Sequence, residues 1–261
     1  MHWNPETFTS SSTLQSESRR KNKQYNYLMG EDSHKCTYTF NEFGFRGDSI
    51  TKDGIKIMSL GCSLTEGYGV NDNETWSHYL SQLIPNGVNL NFGVSSRSND
   101  FITRTLITYF DIIKPDIVIV NYTFITRKEY IDEINNIEST MIRYDYTKFG
   151  STDANIEKLN AHIELSNVHA DLNNWYKNHL LIKNFLENKK CKWVWDGSLI
   201  MNDSVQEFNR VDSQFLNENN NYLDYAVDNL HPGPLTNKRY SELLFKFILE
   251  HYPELSVRKP I

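Results

Sequence analysis

The chain has little cysteine, and it lacks the cysteine patterns that build a framework. Its three cysteines, Cys36, Cys62 and Cys191, are odd in number and widely spaced. A disulfide scaffold needs paired cysteines, and a structural zinc site needs close pairs such as C-x-x-C. His34 lies near Cys36, but no second pair of ligands follows to complete a metal site. The sequence therefore predicts reduced thiols, no bound metal and a reducing compartment.

Long apolar runs and a strong excess of basic charge are also missing. The longest apolar runs are strand-sized, too short to cross a bilayer, and the N-terminus has no basic-then-apolar leader. The formal net charge is −6, with acidic and basic residues mixed along the chain. The one basic cluster, at residues 18–23, is interpreted as part of a solvated tail. These features favour a cytoplasmic protein with neither a nucleic-acid nor a membrane partner, and none of them indicates an oligomeric state.

From residue 37 onward, short apolar runs alternate with amphipathic stretches. The periodicity predicts strands and helices, the strands at 55–60, 88–93, 116–122 and 191–197, and the helices at 73–84, 99–113, 171–190 and 236–252. A β-α-β-α-β order implies parallel strands joined by helical crossovers. We interpret residues 1–36 as a polar N-terminal arm, residues 37–261 as one α/β domain, and residues 131–170 as a partly helical insertion.

Polar residues follow the predicted strands, at the edge where an open parallel sheet binds ligands. Ser63 comes just after the first of these strands, and a serine hydroxyl needs a base to become a nucleophile. His231 is the best-placed histidine, because the following Pro232 keeps it in an extended loop. Asp228, three residues earlier, is placed to orient the imidazole. The sequence therefore predicts Ser63 as nucleophile, His231 as base and Asp228 as its acidic partner.

An acyl-transfer site also needs hydrogen-bond donors for the oxyanion that forms on the carbonyl oxygen. The backbone N–H groups of Ser63 and Gly93 are candidates, since glycine lets the main chain approach a substrate closely. Asn99, Arg97 and Arg127 also follow strands and are candidates for binding the substrate. The two arginines would suit an anionic group on it.

Two competing motifs are incomplete. The nucleophile elbow G-x-S-x-G needs glycine at position 65, where this chain has Thr65. Gly67 and Gly69 have no third glycine at the distance that a dinucleotide fingerprint requires. The sequence thus predicts no nucleotide cofactor, and serine chemistry needs no other cofactor.

Three short blocks resemble those of the SGNH (GDSL-type) hydrolases. GCSLTEG is similar to their first block, NFGVSSRSN to the second and DNLHPG to the last, in the same order, and NEFGFRG resembles a segment that precedes the first block in one branch. The resemblance implies a three-layer α/β/α sandwich with a mainly parallel, flavodoxin-like sheet. It also implies Ser63 as nucleophile, His231 as base, Asp228 as its acid and Gly93 as an oxyanion donor.

Two positions depart from the family pattern. Cys62 stands where the family has an aspartate before the serine, and Ile125 falls where the third block has an asparagine that donates to the oxyanion. Asn121, Thr123, Thr126 and Arg127 are the candidates to replace that donor. We expect a serine esterase that cleaves a small-molecule or glycan ester, such as an O-acetyl group on a carbohydrate. An O-acyltransferase with the same triad and a catalytically silent binding or structural protein are the alternatives.

Overall fold

A computed structural model describes residues 20–29, 34–132, 137–141, 164, 167–197, 210–211 and 222–256. The strands are β1 Gln24–Met29, β2 His34–Thr39, β3 Arg46–Gly47, β4 Ile55–Gly61, β5 Gly87–Gly93, β6 Ile117–Asn121, β7 Lys128–Asp132, β8 Ile137–Met141, β9 Lys192–Asp196 and β10 Arg210–Val211. The α-helices are α1 Ser63–Glu66, α2 Trp76–Leu83, α3 Asn99–Ile113, α4 Val168–Asn188 and α5 Pro234–His251. Short 3-10 helices span Asp72–Glu74 and Pro253–Ser256.

A six-stranded mixed sheet forms the centre of the described part of the chain, beside two separate two-stranded sheets, β1–β2 and β7–β8. Its six strands run in the order β10-β9-β6-β4-β5-β3. All neighbouring pairs are parallel except β3 with β5, which is antiparallel. The parallel strands, numbered along the chain, have the order 2-1-3-4-5 of flavodoxin-like sheets. The predicted fold class is therefore confirmed.

Helices cover both faces of this sheet, because each central strand is apolar on both sides. On one face, α2 and α5 pack through residues such as Trp76, Leu80 and Tyr240. On the other face, α3 and α4 pack through residues such as Phe101 and Trp175. The helices therefore leave the carboxyl ends of the strands as the open edge of the domain.

The predicted N-terminal arm contains a strand that its polar composition concealed. β1 lies within residues 1–36 and pairs antiparallel with β2. Tyr25 and Tyr27 alternate along β1, and the Tyr27 and Tyr38 rings meet edge to face at 5.0 Å. Tyr38 and Phe40 are buried with Cys36 in a small separate cluster. Alternation with a period of two residues produced this hairpin in a segment that we interpreted as irregular.

Most of the predicted insertion, residues 131–170, lies outside the described residues. The described part includes β7 and β8, which pair antiparallel, and the first residues of α4, which begins at Val168. Within the described residues, no helix combines the length and apolar character that a membrane crossing requires.

Candidate active site

The carboxyl end of β4 delivers Ser63 to the open edge of the sheet. The strand ends at Gly61, and the chain turns at once into the short helix α1, whose first residue is Ser63. Ser63 is only 9% exposed, so it is recessed beneath the surface of the protein at this end of the sheet. Its backbone N–H makes no hydrogen bond with another described residue.

His231 and Asp228 meet Ser63 from the far end of the chain. The Nε2 atom of His231 lies 2.9 Å from Ser63 Oγ, and its Nδ1 atom lies 2.5 Å from Asp228 Oδ2. A carboxylate only accepts, so Nδ1 carries the proton and Nε2 is left to accept from the serine hydroxyl. The three side chains predicted from the sequence therefore form one continuous hydrogen-bonded chain.

The loop that carries Asp228 and His231 is fixed as a small hairpin. The Ala226 N–H donates to the His231 carbonyl oxygen at 2.8 Å, and Tyr225 bridges to Pro232. Asn229 makes the turn with a φ of 56°, a conformation that asparagine tolerates better than most residues. The orientation of the imidazole is thus set by main-chain pairing as well as by Asp228.

The environment of Asp228 favours its ionised form. Burial works to raise the pKa of this carboxyl, but hydrogen bonds from the His231 ring and from the backbone N–H groups of His231 and Leu230 outweigh it. The pKa of Asp228 therefore lies below its ordinary value. A negative charge beside Nδ1 is the charge that stabilises an imidazolium.

This lowered pKa predicts how acid affects stability. The ionised Asp228 stabilises the folded state at pH values above the unfolded pKa, about 3.9, and this contribution disappears as the pH falls through the lower folded pKa. We expect the free energy of unfolding to fall more steeply in wild type than in Asp228→Asn between about pH 5 and pH 2. Urea titrations across that range measure both slopes, and equal slopes would contradict the assignment.

Gly93, predicted as an oxyanion donor, is committed elsewhere. Its backbone N–H donates to Asn91 Oδ1 at 2.9 Å, within its own strand. A Cβ at this position would lie 2.3 Å from the Glu66 backbone nitrogen. The glycine is therefore needed because α1 packs directly against the end of β5, and its N–H group is not free for a substrate in this conformation.

Asn121 is also occupied, although it lies at the correct edge. It is fully buried, and its Nδ2 donates to the Tyr240 hydroxyl at 3.2 Å. That hydroxyl in turn donates to Asp196 Oδ2 at 2.8 Å. Asn121 therefore ties β6 to β9 and α5 and does not face a substrate.

Thr123 and Asn99 hold each other in the interior. Asn99 accepts the Thr123 N–H at 3.0 Å and donates to its carbonyl oxygen at 3.1 Å. Both residues are at most 1% exposed, so the predicted roles of Asn99 in substrate binding and of Thr123 as a direct donor do not fit this conformation. Leu60 of β4 lies opposite Val120 of β6. The chain segments that carry Ser63 and Thr123 therefore follow these two strands at the same end of the sheet.

Arg127 and Arg97 remain at the edge as half-buried cations. Arg127 donates from Nη1 to Thr123 Oγ1 at 2.7 Å, and its guanidinium lies 4.9 Å from the Phe124 ring centroid. Its buried Nε has no partner within the described residues. Arg97 lies over the Phe101 ring at 5.2 Å, and Thr126 is half-buried in the turn before Arg127. Arg127 is therefore a half-buried cation held in place by Thr123 and the Phe124 ring.

Cys62 points away from the chemistry. It is 1% exposed and belongs to the apolar cluster on the α2 and α5 face of the sheet. Cys62 is the N-cap residue between β4 and α1, and its thiol packs in this cluster, whereas the Ser63 hydroxyl meets His231.

The sequence did not predict the roles of Glu66 and Tyr68. Glu66 is 5% exposed, accepts hydrogen bonds from the Ser95 N–H and hydroxyl, and pairs with Arg20 at 3.4 Å. The Tyr68 ring lies 5.0 Å from the His231 ring, centroid to centroid. Both residues follow Ser63 closely in the sequence, which indicates that they lie near the site. Their contacts could not be predicted, because the contacting residues are distant along the chain.

A cavity of about 200 Å³, separate from the Ser63 site, lies between strands β3 and β5 and helix α2. Asp48, Asp72, His78 and Asn89 are among its lining residues, and the Ser63, His231 and Asp228 side chains are not. Burial lowers the pKa of His78, so its imidazole favours the neutral form. Within the described residues, no group of three or more His, Cys, Asp and Glu side chains is arranged to hold a metal ion.

Comparisons with known proteins identify structures but no sequence family. No protein-family model matches the chain, and no curated protein matches it. Solved structures to which the chain is similar include a protein described as lipolytic and of the G-D-S-L family from Desulfitobacterium hafniense DCB-2, at 16% identity over 74% of this chain and 99% of that chain, with a TM-score of 0.36.

Two carbohydrate-directed enzymes are among the other matches. The Clostridium thermocellum family 3 carbohydrate esterase matches at 15% identity over 78% of this chain and 100% of that chain, with a TM-score of 0.35. A catalytic mutant of Axe2, an acetylxylan esterase from Geobacillus stearothermophilus, matches at 15% identity over 80% of this chain and 100% of that chain, with a TM-score of 0.31.

Proposed function

We propose that this protein is a serine esterase of the SGNH type that cleaves an ester through an acyl-serine intermediate. The observation that carries the proposal is the continuous chain from Ser63 Oγ through His231 to Asp228, with contacts of 2.9 and 2.5 Å. A serine, a histidine and an aspartate in this order supply a nucleophile, a base and a charge that stabilises the protonated base. None of these steps draws on a metal or a cofactor.

The reaction follows from the placement of these groups. Ser63 Oγ attacks the acyl carbon while His231 Nε2 takes the hydroxyl proton, and Asp228 stabilises the imidazolium. Nε2 then gives that proton to the leaving alcohol oxygen, which releases the alcohol and leaves the acyl group on Ser63. A water molecule attacks the acyl-serine, Nε2 accepts its proton, and the same proton returns to Ser63 Oγ as the carboxylic acid leaves.

The oxyanion needs donors that are not already committed. The Ser63 backbone N–H is unused among the recorded hydrogen bonds of the described residues, and it sits at the start of α1, where N–H groups lack intrahelical partners. For the second donor we assign Arg127, which Thr123 holds at 2.7 Å at the edge that Ser63 shares. A fixed cation at that place substitutes for the side-chain amide that the sequence lacks.

Arg127→Ala is therefore expected to lower kcat on the order of 100-fold, because it removes one preorganised donor to the oxyanion. If the arginine instead binds an anionic group in both ground and transition states, KM rises and kcat stays unchanged. Steady-state kinetics on one ester separates the two outcomes. The control is Arg239→Ala, which removes an exposed cation of α5 paired with Glu242. Equal kinetics in Arg127→Ala and Arg239→Ala would contradict both roles.

The substrate class is tested by a screen over short acyl esters and acetylated glycans. We propose an O-acetyl group on a carbohydrate, and support comes from aromatic side chains beside the histidine, since Tyr68 and Tyr225 are 36% and 44% exposed and aromatic faces suit sugar rings. Release of acetate from an acetylated glycan by wild type, absent in Ser63→Ala, is the expected result. Transfer of the acetyl group to an added sugar without release of acetate would show an acyltransferase.

A further inference from the structure

A buried arginine lies behind the candidate active site. Arg46, on the edge strand β3, is 2% exposed and ranks among the largest fully buried side chains of the described residues. A guanidinium has five N–H donors, and each finds an acceptor between 2.7 and 3.2 Å. These acceptors are Asp72 Oδ1 and the carbonyl oxygens of Glu66, Gly67, Val70 and Thr37.

Four of those acceptors belong to one stretch of chain, residues 66–72, which we call the 66–72 segment. It begins at the end of α1, three residues after Ser63. A buried charge is tolerated only when it is fully paired, so the guanidinium fixes the positions of these carbonyl oxygens. Arg46 thereby determines the path of the chain as it leaves the nucleophile.

Tyr38 fixes the same segment from the β1–β2 hairpin. The Arg46 guanidinium lies 3.7 Å from the Tyr38 ring centroid. The Tyr38 hydroxyl accepts the Gly69 N–H at 2.7 Å and donates to the Gly67 carbonyl oxygen at 3.2 Å. The hairpin and β3 therefore act together on the 66–72 segment.

The 66–72 segment in turn supports the loop that carries the acid and the base. The Val227 N–H donates to the Gly69 carbonyl oxygen at 3.3 Å. Gly69 has a φ of 81°, and a Cβ there would lie 2.9 Å from Ala226 Cβ and 3.5 Å from Asp228 Oδ1. The backbone of Gly69 thus forms the surface against which Asp228 sits.

A second contact reaches the base itself. Tyr68, in the same segment, places its ring 5.0 Å from the His231 ring, with the two planes inclined at 45°. The segment therefore touches both the residue that orients the imidazole and the imidazole. Its placement decides where the Asp228–His231 pair stands relative to Ser63.

We propose that Arg46 is a positioning residue for catalysis, which holds the 66–72 segment so that Gly69 and Tyr68 fix Asp228 and His231 in line with Ser63. The kinetic consequence rests on the proposed esterase function, whereas the structural consequence for His231 does not. Arg46 does not touch the reacting atoms and acts entirely through the segment.

Arg46→Lys tests the proposal directly. Lysine keeps the positive charge but has no planar fork, so it cannot reach acceptors on both sides of the segment. The ¹⁵N chemical shifts of the His231 ring nitrogens, assigned by comparison with His231→Gln, report whether Nδ1 stays the protonated nitrogen against Asp228. We expect the two shifts to move toward each other in Arg46→Lys, as the fixed tautomer is lost.

The matched control is Arg104→Lys. Arg104 lies on α3, is less buried than Arg46 at 19% exposure, and pairs with Glu129 at 2.6 Å. Its guanidinium also lies 5.5 Å from the centroid of the Phe101 ring on the same helix, and we expect Arg104→Lys to leave the His231 shifts unchanged. Wild-type shifts in a folded Arg46→Lys protein, or equal changes in both variants, would overturn the proposal.

Tyr38→Phe gives a second route if Arg46→Lys does not fold. It removes only the hydroxyl that holds Gly69 and Gly67, and we expect the same direction of change in the His231 shifts at smaller size. Unchanged shifts in a folded Tyr38→Phe protein, with Arg46→Lys unfolded, would show that the segment does not position the base and would overturn the proposal.

Kinetics supply the second readout. For an ester that wild type hydrolyses, we expect Arg46→Lys to lower kcat on the order of 10- to 100-fold with little change in KM, because a misplaced base slows the chemistry without weakening binding. An inactive wild type would refute the esterase function while the ring-nitrogen shifts still decide the role of Arg46. An active Arg46→Lys with wild-type kcat would refute the role of Arg46 alone.

Discussion

Ser63→Ala is expected to lower kcat/KM for ester hydrolysis on the order of 10⁴-fold or more, because it removes the only atom that can form the acyl intermediate. The hydroxyl of Ser63 lies 2.9 Å from His231 Nε2 and makes no other side-chain contact on which packing depends among the described residues. Alanine fits the same helix position, and the melting temperature should change little. Steady-state kinetics and thermal unfolding of the purified variant measure both effects.

Cys62→Ala is the matched control for this substitution. It removes the thiol of the adjacent residue, which lies in a buried apolar cluster. We expect a small loss of stability and a kcat within a few-fold of wild type. Loss of activity in Cys62→Ala with retention in Ser63→Ala would assign the chemistry to the thiol and reject the proposed mechanism.

Asp228→Asn is expected to lower kcat on the order of 10³- to 10⁴-fold, although it is nearly isosteric. The aspartate accepts from His231 Nδ1 and from the backbone N–H groups of His231 and Leu230. The amide of asparagine can donate its NH₂ group to Nδ1, which favours the tautomer with the proton on Nε2. Nε2 then faces Ser63 as a donor and can no longer act as a base. The negative charge that stabilises the imidazolium is also lost.

Asp224→Asn separates this effect from damage to the loop. Asp224 lies in the same hairpin, but its oxygens accept the N–H groups of Leu235 and Thr236 at the start of α5. We expect Asp224→Asn to lower the melting temperature, because it weakens a helix N-terminus, and to leave kcat within a few-fold of wild type. Equal losses of kcat in both variants would mean that the loop, and not the charge on Asp228, governs activity.

The fold was predictable because its signals are local. The apolar runs that became β4, β5, β6 and β9 are bounded by turn residues, and the amphipathic stretches between them fix a parallel order. β1 was missed because its aromatic residues alternate within a polar segment, so composition outweighed periodicity. The strand became visible only through its pairing with β2.

The site was predictable in part for the same reason. Asp228 and His231 share one turn, so the local sequence places this pair together, whereas their contact with Ser63 spans 168 residues and depends on the topology of the sheet. The oxyanion donors were not predictable from spacing, because a backbone N–H such as that of Gly93 takes whichever acceptor the fold brings to it, here Asn91. Arg46 was missed because all of its partners lie at other points of the chain.

The most direct test of the account is covalent labelling with a fluorophosphonate, which phosphonylates a serine only when a neighbouring base activates it. Intact-mass and peptide-level analysis should show a single adduct on Ser63 in wild type, none in Ser63→Ala, and strongly slowed labelling in Asp228→Asn. An unlabelled wild type would contradict the claim that His231 and Asp228 activate Ser63, and so would equal labelling of Ser63→Ala.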